Sequence, residues 1–134
     1  MTDVADFLMV NYYPKYKGNR ADVVPTIDVL MRGLSNHHDK IVIVRDESIK
    51  GVAIFVTLTD EFYGFLKDLD ITRYDILANM LKQHGPNVHF VLLCADGYNT
   101  IMTGVREVIH SRKPKTVSWW NPDLTKLHHY KIGE

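Results

Sequence analysis

The segment that most restricts the possible folds is 88–109, VHFVLLCADGYNTIMTGVREVI. It opens with Val88-His89-Phe90-Val91-Leu92-Leu93-Cys94, a near-continuous apolar run too short for a comfortable helix. Such a run reads as a strand covered on both faces, as in a sheet with helices packed on it. Ala95-Asp96-Gly97 interrupts it. Ile101, Val105, Val108 and Ile109 then recur at i, i+4, i+7 and i+8, which predicts a helix opening near Asn99 or Thr100. Buried strand, polar turn and amphipathic helix make a strand–helix unit. In open α/β sheets, ligands sit beyond the carboxyl ends of such strands, so a site is expected near Asp96–Asn99.

A chain of 134 residues suits one domain around one core. Nearly half of it is apolar, at 46%, which marks a folded globular chain. Sixteen basic residues balance sixteen acidic ones, which argues against a binder that relies on a diffuse basic field. Cys94 is the one cysteine, so no intrachain disulfide can form, and its setting suits a small buried hydrophobe. No apolar run reaches the roughly 18 residues of a membrane span. Asp3 and Asp6 stand where a signal peptide carries basic residues. A cytoplasmic protein is the default expectation.

Taken in order, Thr2 or Asp3 can cap a first helix with Val4, Phe7, Leu8 and Tyr12 on its apolar face, ended by Pro14. The loop Tyr12–Arg20 mixes tyrosines with positive charge. It could stack on a planar or anionic ligand, or cover the edge of the core. A second helix starts at Pro25, with Ile27, Leu30, Met31 and Leu34 as its stripe. His37-His38-Asp39 follows; adjacent histidines do not chelate by themselves, and no spaced partner is evident. Ile41–Val44 and Ile49–Leu58, joined by Asp46-Glu47-Ser48, predict an antiparallel hairpin. The stretch Asp60–Asp70, DEFYGFLKDLD, is ambiguous; Gly64 and the aromatics lean it towards a strand. Thr72 and Asp75 open a helix whose buried face is Ile76, Leu77, Met80 and Leu81, stopped by Gly85-Pro86. The helix after Asn99 ends at Ser111-Arg112-Lys113, before Pro114. Thr116–Trp120 and Leu127–Ile132 predict a closing hairpin in which one of Trp119 and Trp120 faces outward.

This order, with KIVIVRDESIKGVAIFVTL at 40–58, VHFVLLCADGYNT at 88–100, KTVSWW at 115–120 and LHHYKI at 127–132, resembles the GNAT N-acetyltransferase superfamily. The first piece resembles that family's hairpin, the second its fifth strand ending near an asparagine, the last two its closing hairpin. The short form resembles small, diverged GNAT-like proteins of bacteriophages. The resemblance implies an α/β (α+β) fold: a single GNAT-like domain over 1–134, with a mixed central sheet and helices on both faces. It implies acetyl-CoA as cofactor, its pantetheine arm gripped by two parallel strands that part near Leu66 and Leu93. Its pyrophosphate would lie on backbone N–H groups at the start of the following helix, where donors are free and the dipole is positive.

The family's glycine-rich phosphate signature falls here on Leu69-Asp70-Ile71-Thr72-Arg73-Tyr74-Asp75. That loop is degenerate: it has no glycine, and Asp70 and Asp75 oppose Arg73. The cofactor-binding residues implied by the resemblance are Leu69, Asp70, Thr72, Arg73, Tyr74 and Asn99. The family's leaving-group tyrosine falls two turns after Asn99, where Val105, Arg106 and Glu107 stand instead. Glu61 and Tyr63 are candidate bases, and no catalytic residue is assigned.

Two functions follow as expectations. One is an acyl-CoA-dependent N-acetyltransferase-like protein acting on a protein or small-amine acceptor. The other is a non-catalytic GNAT-fold interaction or structural protein, a phage-encoded one acting in the host cytoplasm or virion. A homo-oligomer could form through aromatics such as Tyr12, Tyr13, Tyr16, Trp119 and Trp120. Nucleic-acid binding through Lys15, Lys17 and Arg20 ranks last, and no membrane or metal partner is expected.

Overall fold

A computed structural model describes residues 2–11, 27–68, 74–95, 97–120 and 126–132. The predicted strand–helix unit is at its centre. Strand β3 is Asn87–Ala95, and helix α5 is Tyr98–Arg112. Helix α5 stops where Lys113 takes a left-handed conformation at φ 48°, just before Pro114. Around this unit stand α1 (Thr2–Asn11), α2 (Ile27–Leu34), β1 (Ile41–Asp46), β2 (Ser48–Leu58), α3 (Asp60–Gly64), α4 (Tyr74–Lys82), β4 (Thr116–Trp120) and β5 (Leu127–Lys131). The expected α/β architecture with a mixed sheet and helices on both faces is what the chain forms. The Tyr12–Arg20 loop and the helix start at Pro25 lie outside the described residues.

The five strands lie in sequence order, β1-β2-β3-β4-β5. The pairs β1/β2, β2/β3 and β4/β5 are antiparallel, and β3/β4 is parallel. The first hairpin turns at Glu47, whose φ of 65° is allowed by the tight reversal. Alternation along β2 divides the core. Val52, Ile54, Val56 and Leu58 pack towards Val4 and Leu8 of α1, Leu30 and Leu34 of α2, and Leu77, Met80 and Leu81 of α4. Ala53 and Phe55 face the other way, with Val88, Phe90 and Val117 of the sheet and Val108 of α5. Each fully buried Leu or Met on these stripes stabilises the fold by on the order of 2 kcal/mol. Cys94 is buried on the α1/α2/α4 side, as its apolar setting predicts.

The stretch expected as a strand at Asp60–Asp70 is helical instead. Residues Asp60–Gly64 form α3 and Leu66–Asp68 one turn of 3-10 helix. Thr59 caps this start, its Oγ1 accepting from the Phe62 N–H at 3.2 Å, and Asp60 and Glu61 put negative charge on the first turn. Gly64 argued against a helix interior, but it is the helix's last residue, where it costs little. The edge of β3 that such a strand would share with the hairpin is taken by β2 from Gly51/Ala95 to Leu58/Asn87. The expected parting of parallel strands near Leu66 and Leu93 is therefore not formed by those segments.

Candidate functional site

The parallel pair of this sheet is β3 and β4, and it is short. Its ladder runs from Asn87/Thr116 to Phe90/Trp119 and stops. Beyond it β4 ends at Trp120, whereas β3 continues to Ala95 with β2 on its other side. The register of β2 on β3 shifts at this level: Ile54 pairs with Leu92 and Phe55 with Phe90, leaving Val91 as the extra residue of a bulge. The β4-facing edge of 91–95 thus has no strand partner among the described residues. Val91, Leu93 and Ala95 are half-buried along it.

That edge leads into the start of α5. Gly97 is the N-cap, with extended backbone and no side chain to accept from the first-turn N–H groups. A helix start leaves such groups without intrahelical partners and carries the positive end of the dipole. The first backbone bond of the helix runs from Ile101 N–H to Gly97 O at 3.1 Å. Close packing on β2 fixes the position of this start: a Cβ on Gly51 would lie 2.9 Å from Thr100 Cγ2 and 3.1 Å from Ala95 Cβ. Asn99 is exposed in the first turn.

At the level where the parallel ladder ends, His89 is fully buried. Its Nδ1 is hydrogen-bonded to Ser118 Oγ across β3/β4 at 2.9 Å, and its Nε2 has no partner among the described residues. Desolvation holds the imidazole neutral, with a pKa lowered to about 3. An orphaned ring nitrogen is uncommon in a core. In sequence His89 looked like one polar letter in an apolar run, and nothing there marked it.

The other expected site residues are not gathered here. Leu69, Asp70, Thr72 and Arg73 lie outside the described residues, as does Asp96. Tyr74 is the first residue of α4. Glu61 and Tyr63 are in α3, next to Asp60, whose Oδ1 accepts from Asn87 Nδ2 at 2.9 Å at the beginning of β3. Asn99 follows the end of β3, nine residues of strand and roughly 30 Å away. The two candidate bases and Asn99 therefore stand at opposite ends of the sheet.

Trp119 and Trp120 are both half-buried and face opposite sides of the sheet. Trp119 stacks on His128 and Tyr130 of β5, with ring centroids 5.4 Å apart in each pair. Among the described residues no helix is long and apolar enough to cross a membrane. No known protein family and no curated protein sequence matches the chain.

Proposed function

We propose that the chain is an acyl-CoA-dependent N-acetyltransferase-like protein that binds its cofactor along β3 and on the start of α5. The observation that carries this is a pair of neighbouring features: beyond Phe90/Trp119 no described strand lies along the β4 side of β3, and α5, the next helix, has a glycine as its N-cap. A free strand edge pairs with extended, amide-bearing ligands, and a pantetheine arm is one. A helix start favours the pyrophosphate that the arm carries. This arrangement moves the phosphate cradle from the degenerate loop at Leu69–Asp75 to Gly97–Thr100, beyond the sheet's own parallel pair. The acceptor would be a protein or small amine whose nitrogen attacks the thioester.

Thermal unfolding with and without acetyl-CoA tests the reading. Cofactor at one hundred times its dissociation constant should stabilise by about 2.7 kcal/mol. An unchanged melting temperature at millimolar acetyl-CoA would remove the cofactor and the chemistry together.

A second reading, an interaction module, is favoured by a separate observation. The Trp119/His128/Tyr130 stack lies on the last strands of the sheet, and Tyr130 is 56% exposed. Aromatics so placed suit an interface, including one with a second copy. Tyr130→Lys should then shift a dimer to monomer in sedimentation; an unchanged sedimentation coefficient removes this reading.

A further inference from the structure

At the opposite end of α5 from its glycine cap, two cations meet beside a cleft. Lys40 is 1% exposed, and its Nζ donates to Thr57 Oγ1 at 2.8 Å. The Thr57 hydroxyl in turn donates to Gln83 O at 3.1 Å. Among the described residues this is the only hydrogen bond of an ammonium that has three N–H donors. The ammonium also lies 5.9 Å from the Phe55 ring centroid, and Arg112 Cζ lies 5.2 Å from the same ring. Among the described residues Asp39 is the carboxylate that these cations face, and it is engaged by Arg112 at 3.3 Å. Lys40 and Arg112 therefore share a single negative charge and leave one positive charge over. A buried ammonium without a paired anion is costly.

The cleft, of about 200 Å³, is lined by Thr57, His84, Gly85, Val88, Arg112 and Pro114. Thr57 separates the cleft from Lys40: it lines the cleft, and its hydroxyl accepts from the ammonium. Two side chains with N–H donors, His84 and Arg112, thus border a space that would hold a phosphate or carboxylate and a few further atoms. The partial negative end of α5 also lies here, but Arg112 and Lys113 offset it.

We propose that this cleft binds the oxyanion group of a small molecule, a phosphate or a carboxylate, through Arg112 and His84, with the Lys40 ammonium behind Thr57 adding positive potential. The group supplies negative charge beside the two cations and accepts from the Arg112 and His84 side chains. This site is separate from the cofactor reading above and survives its failure.

Calorimetric titration of the full chain with inorganic phosphate, and in parallel with acetate, tests it. Saturable one-to-one binding of either anion at millimolar concentration is expected, and the arm that binds more tightly identifies the oxyanion. Arg112→Gln and His84→Ala should each weaken it about tenfold or more, as loss of a charge-assisted hydrogen bond does. His84 is exposed, so its variant tests the site without a folding cost. Exposed Arg45→Ala is the control for general charge, and Gly97→Asp removes any phosphate held at the start of α5. Binding that survives both controls and falls in the Arg112 and His84 variants supports the site. No saturable binding of either anion, affinity unchanged in Arg112→Gln and His84→Ala, or binding abolished by Gly97→Asp would overturn it.

Discussion

His89 Nδ1 and Ser118 Oγ meet at 2.9 Å across the parallel strands, one residue pair before those strands stop pairing. The contact pins β4 to β3 just before their ladder ends. It also places an imidazole where protonation is costly: burial lowers its pKa to about 3 from an ordinary 6.5.

Acid should therefore weaken the fold in a defined window. The folded chain keeps His89 neutral, while the unfolded chain takes up a proton below about pH 6.5. The unfolded state then binds more protons, so stability is complete above pH 6.5 and falls as pH drops towards 3. The limiting slope is on the order of 1 kcal/mol per pH unit. Urea midpoints between pH 6 and 4.5 measure it, above the range of the carboxylates. The pair His89→Leu with Ser118→Ala removes the imidazole and its partner together and should flatten the dependence. A slope identical to that of the original chain would assign the acid sensitivity elsewhere.

Gly97→Asp separates cofactor binding from folding. Backbone at φ −176° accepts any residue, and a Cβ there meets nothing within 4 Å. Aspartate is a better N-cap than glycine by a few tenths of a kcal/mol, so unfolding should move little or slightly upward. Its carboxylate would occupy the N–H groups that a pyrophosphate needs and repel the phosphates. Acetyl-CoA should then no longer raise the melting temperature. A shift of the original size in this variant would place the phosphates away from α5.

These two positions also mark where sequence reasoning reached and where it stopped. The β3–α5 unit was legible because a continuous apolar run and a helical stripe are local patterns, and they placed Asn99 beside a strand end. Residues 60–68 are not legible in the same way, because Gly64 disfavours a helix interior but is the last residue of α3, and the helix depends on the Thr59 cap before it. The pairing of His89 with Ser118, and of Lys40 with Thr57, depends on register between segments 29 and 17 residues apart. Neither has a local signature. The end of the β3/β4 ladder at Phe90/Trp119 likewise follows from where β4 ends, which the TVSWW pattern alone does not fix.

Gly85→Ala should be among the most damaging single-methyl substitutions in the chain. A Cβ at Gly85 would overlap Leu58 O, Leu58 C and Thr59 N. These are backbone atoms, so no rotamer change relieves the overlap; the β2–α3 junction itself must move. Overpacking of this kind costs roughly 3 kcal/mol or more. That junction also carries the Thr59 cap and the Asn87 bonds to Leu58 O and Asp60. Chemical denaturation gives the answer directly; a loss below about 1 kcal/mol would mean that the chain does not approach so closely there.

Lys40 and Thr57 form a two-residue unit whose parts should not behave additively. Thr57→Val leaves the buried ammonium with the Phe55 ring but without its hydrogen-bond acceptor, and should destabilise by about 1–3 kcal/mol. Lys40→Met keeps the length and apolar stem and removes the charge, so it should be neutral or mildly stabilising. In the double variant the hydroxyl and the ammonium are both gone, and most of the Thr57→Val loss should be recovered. Burial lowers the Lys40 pKa below its ordinary 10.5, so the same cost should fade in the original chain as pH rises towards 10.5. Denaturation of the four chains at pH 7 closes the cycle. Additive losses would show that the two groups do not depend on each other, and that the ammonium meets its needs from solvent instead of from Thr57.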